Sequence, residues 1–185
     1  MKTMQRTLNG LDLTRLQGLV DDIKRDPASG MAKFCVRTNW TGGASTESTV
    51  SHWELGGRRE ARRFTVRTDE PPALMGAGEE ANPQEVLMAG LNACMMVGYA
   101  ALCAIEGIEL ESIEIETEGT LDLRGFLALD KNVKPGYDDL KYTVRIKGDG
   151  TPEQFERVHK GVQATSPNFF NLAHAVGLRP TLVVE

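Results

Sequence analysis

Apolar and polar residues follow three successive rhythms along this chain, and each rhythm predicts a kind of element. In Leu11 to Ile23 the apolar positions Leu11, Leu13, Leu16, Leu19, Val20 and Ile23 recur at helical spacing, and Asp26-Pro27 ends the run, which predicts an amphipathic helix packed on something else. From Phe34 the period drops to two. Phe34, Val36, Thr38 and Trp40 alternate with Cys35, Arg37 and Asn39, placing Cys35 on the face opposite Phe34 and Val36. Further strands at Thr46 to Leu55 and Arg62 to Thr68 are set off by Gly42-Gly43 and Gly56-Gly57, so residues 34–68 predict an antiparallel meander. Asp69-Glu70-Pro71-Pro72 breaks the sheet, and Met75 to Glu80 is a Gly-containing loop.

The third rhythm has no polar phase. From Val86 to Ile105 nearly every position is apolar or small, with Asn92 the exception, inside a segment running from Asn82 to Gly107. Asn82 suits a helix N-cap, Pro83 the first helical position, and Glu85 completes a capping box with Asn82. Gly107 is the stop. An all-round apolar helix predicts burial on every side, hence a central core post with Cys94 at its middle. The segment is short and rich in Gly and Ala for a membrane span, and the chain around it is 25% charged.

Alternation returns after the helix. Ser112 to Asp122 places Ile113, Ile115, Thr117, Gly119 and Leu121 against acidic neighbours, and Leu140 to Lys147 alternates through Tyr142, Val144 and Ile146. The long link Leu123 to Asp139, with Gly125, Pro135 and Gly136, suits a pocket rim or a subunit contact. Thr151-Pro152-Glu153 opens a helix to about Ala164 with Phe155, Val158 and Val162 inward; Asn168 to Val176 predicts a short helix and Pro180 to Val184 a terminal strand. The order βββ, helix, ββ, helix, β predicts an α+β domain in which antiparallel strands wrap helices.

Composition narrows the function classes. A net charge of −5 and a pI near 5.3 argue against nucleic acid as a partner, and the one basic cluster, Arg58-Arg59 with Arg62-Arg63, reads as a solvated strand end. Met1 to Asn9 lacks an apolar signal core, and cysteines 35, 94 and 103 form neither metal-ligand spacing nor an even disulfide set, which points to the reducing cytoplasm. His52, His159 and His174 share no metal spacing either, so neither metal nor cofactor is called for. No membrane is implied.

Taken in order, the DEPPALMG loop, the N-P-x-E-x-L-x-A-x-x-x-A-C helix, the strand IEIETEGTLDLRG and the late S-P-N-F-F-N-L turn resemble the OsmC/Ohr family of osmotically inducible and organic hydroperoxide resistance proteins. The likeness covers residues 34–185 and leaves 1–33 as an N-terminal helical extension. It implies an OsmC-like fold, an intertwined homodimer with its site between subunits, and thiol-dependent reduction of hydroperoxides. In the family the cysteine matched by Cys94 attacks the peroxide. A second cysteine in a C-P-x-x-x-x-L turn then condenses with the sulfenic acid, a dithiol reductant resets the disulfide, and an early-strand arginine and a first-turn glutamate activate the thiol.

Several positions depart from that pattern. Ser166 stands at the resolving position before Pro167, and serine forms no disulfide. Gln84 replaces the glutamate after Pro83; the adjacent Glu85 is rotated by about 100°, which places it nearly opposite Cys94 while Gln84 lies closer to its face. Arg37 and Arg67 are the candidate early arginines. Cys103, nine residues after Cys94, projects about 180° away and sits about 13 Å along the axis, too far for an intrahelical disulfide, which needs Cα atoms within about 7 Å. Cys35, on a different element, is left open as either a resolving partner for Cys94 or a small buried hydrophobe, the latter favoured. The candidate site is therefore Cys94, Gln84, Ser166 and Arg37. Two functions follow: a single-cysteine peroxidase recycled by an external thiol, or a degenerate member whose Cys94 is an inert core thiol and whose pocket, lined by Met88, Leu91, Met95 and Phe169, binds a small hydrophobic molecule. A Cys-His hydrolase would need His174 beside Cys94.

Overall fold

The computed structural model describes residues 7–185; residues 1–6, part of the segment read as lacking a signal core, lie outside the described residues. The chain forms two compact units that divide between Ala89 and Gly90.

In the first unit a small ribbon, β1 (Thr7–Leu8) against β2 (Leu11–Asp12), leads into α1 (Leu13–Arg25). The expected helix start at Leu11 moves because Asp12 is the N-cap: its Oδ1 accepts from Thr14 N at 3.0 Å and Arg15 N at 3.1 Å. The strand expected over 34–40 is two strands, β3 (Ala32–Phe34) and β4 (Arg37–Gly42), with Cys35 and Val36 between them. Both pair with β5 (Ser45–Leu55), but the register slips by one residue between Phe34↔Trp53 and Arg37↔Thr49, and a slipped register breaks the ladder. On its other edge β5 pairs with β6 (Arg58–Thr68), whose arginines are exposed as expected of a solvated strand end.

Buried Asp69 organises the loop that follows. Its carboxylate accepts from Ser45 Oγ at 3.0 Å, Ala77 N at 2.7 Å and Gly78 N at 2.9 Å. Burial alone would raise its pKa; the donors from Ala77, Ser45, Glu70 and Gly78 outweigh that and hold it below the ordinary carboxylate value. The loop folds back so closely that a Cβ on Gly76 would stand 1.7 Å from the Glu70 carbonyl oxygen, so only glycine fits there.

Helix α2 (Pro83–Glu106) begins as the sequence predicts: Asn82 N donates to Glu85 Oε2 and Glu85 N to Asn82 Oδ1, both at 2.8 Å. Its length and composition would suffice to cross a membrane. Burial on every side is not what forms, however. Leu91, Met95, Tyr99, Cys103 and Ala104 are buried, whereas Val97 is 67% and Ile105 62% exposed. The helix is covered along one stripe because the second unit supplies neighbours on one side.

Those neighbours are β7 (Leu110–Glu118), β8 (Lys141–Gly148) and α4 (Pro152–Thr165), with the short α3 (Leu123–Phe126) in the link and α5 (Pro167–Ala173) after α4. The antiparallel pairs Ile113↔Ile146 and Ile115↔Val144 share the face that packs on the buried stripe, joined by Phe155, Val158 and Val162 from α4. Each large side chain wholly removed from water, such as Met95, Tyr99 or Val162, contributes about 1.5–3 kcal/mol. A Cβ on Gly161 would come 2.8 Å from Leu102 Cδ1, which measures how closely α4 rides on α2. Thr151 and Gln154 form a full capping box for α4. The expected terminal strand at Pro180 to Val184 is absent: the segment forms no ladder, and Leu182 and Val184 are 87% and 83% exposed. Alternation supplies strand propensity, but a strand also needs an edge to pair with.

Candidate functional site

Cys94 sits one residue before Met95 on α2, at the margin of the buried stripe. It is half-buried, in contrast to Cys103, which is completely buried and whose thiol burial pushes up in pKa, with the nearby Glu106 carboxylate adding to the effect. All three cysteines are free thiols. Helix α2 is unbroken between Cys94 and Cys103, which upholds the exclusion of a bond between them.

The second component arrives from α5. Pro167 occupies its first turn and Ser166 caps it, with Ser166 Oγ accepting from Phe169 N at 3.5 Å. The same hydroxyl donates to Cys94 Sγ at 3.4 Å, across 72 residues of sequence. Ser166 is 5% exposed, so the donor is not lost to bulk water. Two residues on, Asn168 Nδ2 donates to the Gly90 carbonyl at 2.8 Å, in the helical turn just before Cys94. The S-P-N turn is thus tied to the cysteine turn twice, once at the thiol and once at the backbone. From sequence, Asn168 is only the start of a short helix. A polar side chain in the first turn of α5 was the signal for this tie, but its acceptor could not be read locally.

A further polar link orients this stretch of α2: Asn92 Nδ2 donates to the Ile115 carbonyl at 3.2 Å, and Thr117 Oγ1 donates to Asn92 Oδ1 at 2.5 Å. It uses the one polar residue of the apolar run to fix the helix rotation against β7.

Of the four candidate residues, Cys94 and Ser166 come together. Gln84 is exposed in the first turn of α2, with Glu85 beside it taken up by the capping box. Arg37 lies on β4 in the first unit and lines a cavity of about 220 Å³ with Cys35, Thr49, Ser51, His52 and Arg59; Arg67 is held by Glu47 at 3.1 Å. Within the second unit Arg124, Arg145 and Arg157 are occupied by Asp122, by Glu114 and Glu116, and by Glu106.

The pocket suggested for an inert member is filled. Leu91 and Met95 are buried core, with Phe169 packed on them. His174 stacks on Phe170 with ring centroids 4.4 Å apart and shares a 3.0 Å hydrogen bond with the Phe170 carbonyl, so its ring is committed away from a Cys-His pair. His159 bonds Tyr99, and His52 bonds Ser51 and Arg59. Chemically, the arrangement offers a thiol in reach of solvent with one buried hydroxyl donor aimed at its sulfur.

Comparison with known proteins agrees with the order of elements. A family model described as OsmC-like protein matches residues 76–179. The uncharacterised YmaD protein of Bacillus subtilis (strain 168) is 23% identical over 128 residues, covering 69% of this chain and 75% of that protein. Among solved structures, an OsmC-like protein of Mycoplasma pneumoniae has a TM-score of 0.58 at 13% identity, over 77% of this chain and 89% of that one. An OsmC-like protein of Vibrio cholerae has a TM-score of 0.52 at 16% identity, over 75% and 92%. At such identities the likeness is one of fold.

Proposed function

Since this chain belongs to the OsmC-like protein family, which its sequence matches over residues 76–179, we propose that it is a thiol-dependent hydroperoxide reductase that works through Cys94 without a resolving cysteine. The observation that carries the reading is the 3.4 Å hydrogen bond from Ser166 Oγ to Cys94 Sγ. A hydroxyl held there stabilises negative charge on sulfur, both in the attacking thiolate and in the sulfenate that follows.

The Cys94 thiolate attacks one oxygen of ROOH, the O–O bond breaks, and the alkoxide leaves as ROH after taking a proton. Sulfur has then lost two electrons and carries an S–OH group. An external thiol displaces that oxygen as water, forming a mixed disulfide, and a second thiol of the same dithiol reductant attacks the bond and releases Cys94. Ser166 serves throughout as donor, and the role a resolving cysteine would play passes to the external dithiol. Gln84 and Arg37 are assigned no step.

The protein acts as a homodimer on this reading. Supporting it is the exposed apolar face of α2, with Val97 and Ile105 open to solvent opposite the buried stripe. Three free cysteines suit the cytoplasm. The experiment is oxidation with one equivalent of an organic hydroperoxide, hydrogen peroxide alongside, followed by mass spectrometry. Selective gain of one oxygen at Cys94, and loss of dihydrolipoate-dependent peroxide consumption in Cys94→Ser, are expected. Turnover retained in Cys94→Ser would sink the proposal.

A further inference from the structure

A groove of about 560 Å³ opens between β8 and α4, lined by Tyr99, Tyr142, Val144, Ile146, Phe155 and His159 together with Thr143 and Gln163. Neither Cys94 nor Ser166 lines it, so the thiol chemistry does not use it. Its volume falls within the roughly 300–1,000 Å³ of small-molecule sites.

The hydrogen bonds already present decide what the walls still offer. Tyr99 is 1% exposed, and its hydroxyl lies 2.5 Å from His159 Nδ1. Burial raises the Tyr99 pKa well above its usual range, with the Tyr142 and Cys103 groups adding to the effect, so the phenol keeps its proton. Among the described residues His159 Nδ1 is the partner within reach of that buried hydroxyl, and an Nδ1 that accepts its proton leaves the ring N–H on Nε2. On the neighbouring strand, Gln163 Nε2 donates to the Tyr142 hydroxyl oxygen at 2.7 Å. Tyr142 therefore has its acceptor engaged and its O–H to give. Two uncommitted donors, His159 Nε2–H and Tyr142 O–H, share a groove whose remaining walls are the Phe155 ring and the branched side chains Val144 and Ile146. No aspartate or glutamate is among the lining residues to compete for them.

We infer that this groove is a binding site for a small compound with a flat apolar body and an sp² oxygen acceptor, either a neutral carbonyl or a carboxylate. The oxygen accepts from both His159 Nε2–H and Tyr142 O–H, one on each lone pair, and the body lies against Phe155, Val144 and Ile146. A ligand with no acceptor would strand both donors in a partly desolvated wall, which is how such sites discriminate. The inference stands apart from the hydroperoxide reading and survives if that reading fails.

Nuclear magnetic resonance of the full chain, followed at the His159 imidazole, tests it with benzamide, benzoate and toluene as probes. Benzamide or benzoate should shift the His159 signals saturably, with toluene at least about tenfold weaker, the worth of one hydrogen bond to an uncommitted donor. Tighter binding of benzoate than of benzamide identifies the carboxylate as the acceptor; the reverse order identifies the neutral carbonyl. Tyr142→Phe should weaken the better probe by a similar factor while thermal unfolding reports that the variant is folded, and should it fail to fold, the three probes on the unaltered chain decide. Toluene binding as tightly as benzamide, an unchanged affinity in folded Tyr142→Phe, or no saturable change at His159 with any probe would overturn the inference.

Discussion

Replacing Ser166 by cysteine tests the site most directly, because it asks whether two atoms 72 residues apart in sequence are neighbours in solution. In the native chain Ser166 Oγ is 3.4 Å from Cys94 Sγ. A sulfur placed at Oγ needs only a small side-chain rotation to close to the disulfide distance of about 2.05 Å. Closing a loop of 72 residues removes chain entropy from the unfolded state worth about 4 kcal/mol in the loop-closure description. Against this stands the weaker cap: Ser166 Oγ accepts the Phe169 N–H, and losing an N-cap oxygen costs about 1 kcal/mol. Oxidised Ser166→Cys should therefore be about 3 kcal/mol more stable than the native chain, and the reduced variant about 1 kcal/mol less stable. The assay is urea unfolding with and without dithiothreitol, where the oxidised form should unfold on the order of 1 M later. Mass spectrometry supplies a second reading: one equivalent of hydroperoxide should remove two hydrogens from Ser166→Cys as the disulfide forms, in place of adding one oxygen at Cys94. If the variant gains oxygen and never loses the hydrogens, Cys94 and position 166 are not neighbours, and the donor role of Ser166 falls with the geometry.

Three further outcomes follow from the same structure. Ser166→Ala should slow alkylation of Cys94 by iodoacetamide at neutral pH by about tenfold, since a hydrogen bond to a charged acceptor is worth about 1.5–3 kcal/mol; an unchanged rate would remove the hydroxyl from the chemistry. Native-state alkylation mapped by mass spectrometry should label Cys35 and Cys94 while Cys103 reacts only after denaturant is added, because Cys103 is buried and its thiol pKa is raised. Asp69 has a folded pKa held below its unfolded one, so its contribution is fully present above the ordinary carboxylate pKa and is lost as pH falls through the depressed folded value. The urea midpoint should therefore fall on acidification, and Asp69→Asn should flatten that dependence; an equally steep fall in the variant would place the acid sensitivity elsewhere.

Local chemistry decided much of this protein in advance. Asn82, Pro83 and Glu85 start α2 through bonds that close within four residues, and Thr151 with Gln154 does the same for α4. The inward positions Ile113, Ile115, Val144 and Ile146 follow from a period of two, which needs no knowledge of the partner strand. The α+β class and family were legible in the order of these elements, and the family match bears them out. What sequence could not decide depends on what lies opposite. An all-round apolar helix carries no mark of which side will be covered, so the stripe Leu91, Met95, Tyr99 and Cys103 was chosen by β7, β8 and α4, and Val97 was left exposed. Pro180 to Val184 alternates like a strand yet forms none, because pairing requires an edge elsewhere in space. His159 and Tyr142 read as ordinary helix and strand residues until Tyr99 and Gln163 engage one face of each and leave the other a donor. The bond between Ser166 and Cys94 belongs to the same class: sequence names both residues and the turn and helix that carry them, but only the packing of α5 on α2 brings the oxygen within 3.4 Å of the sulfur, since a contact across 72 residues is set by the whole intervening fold.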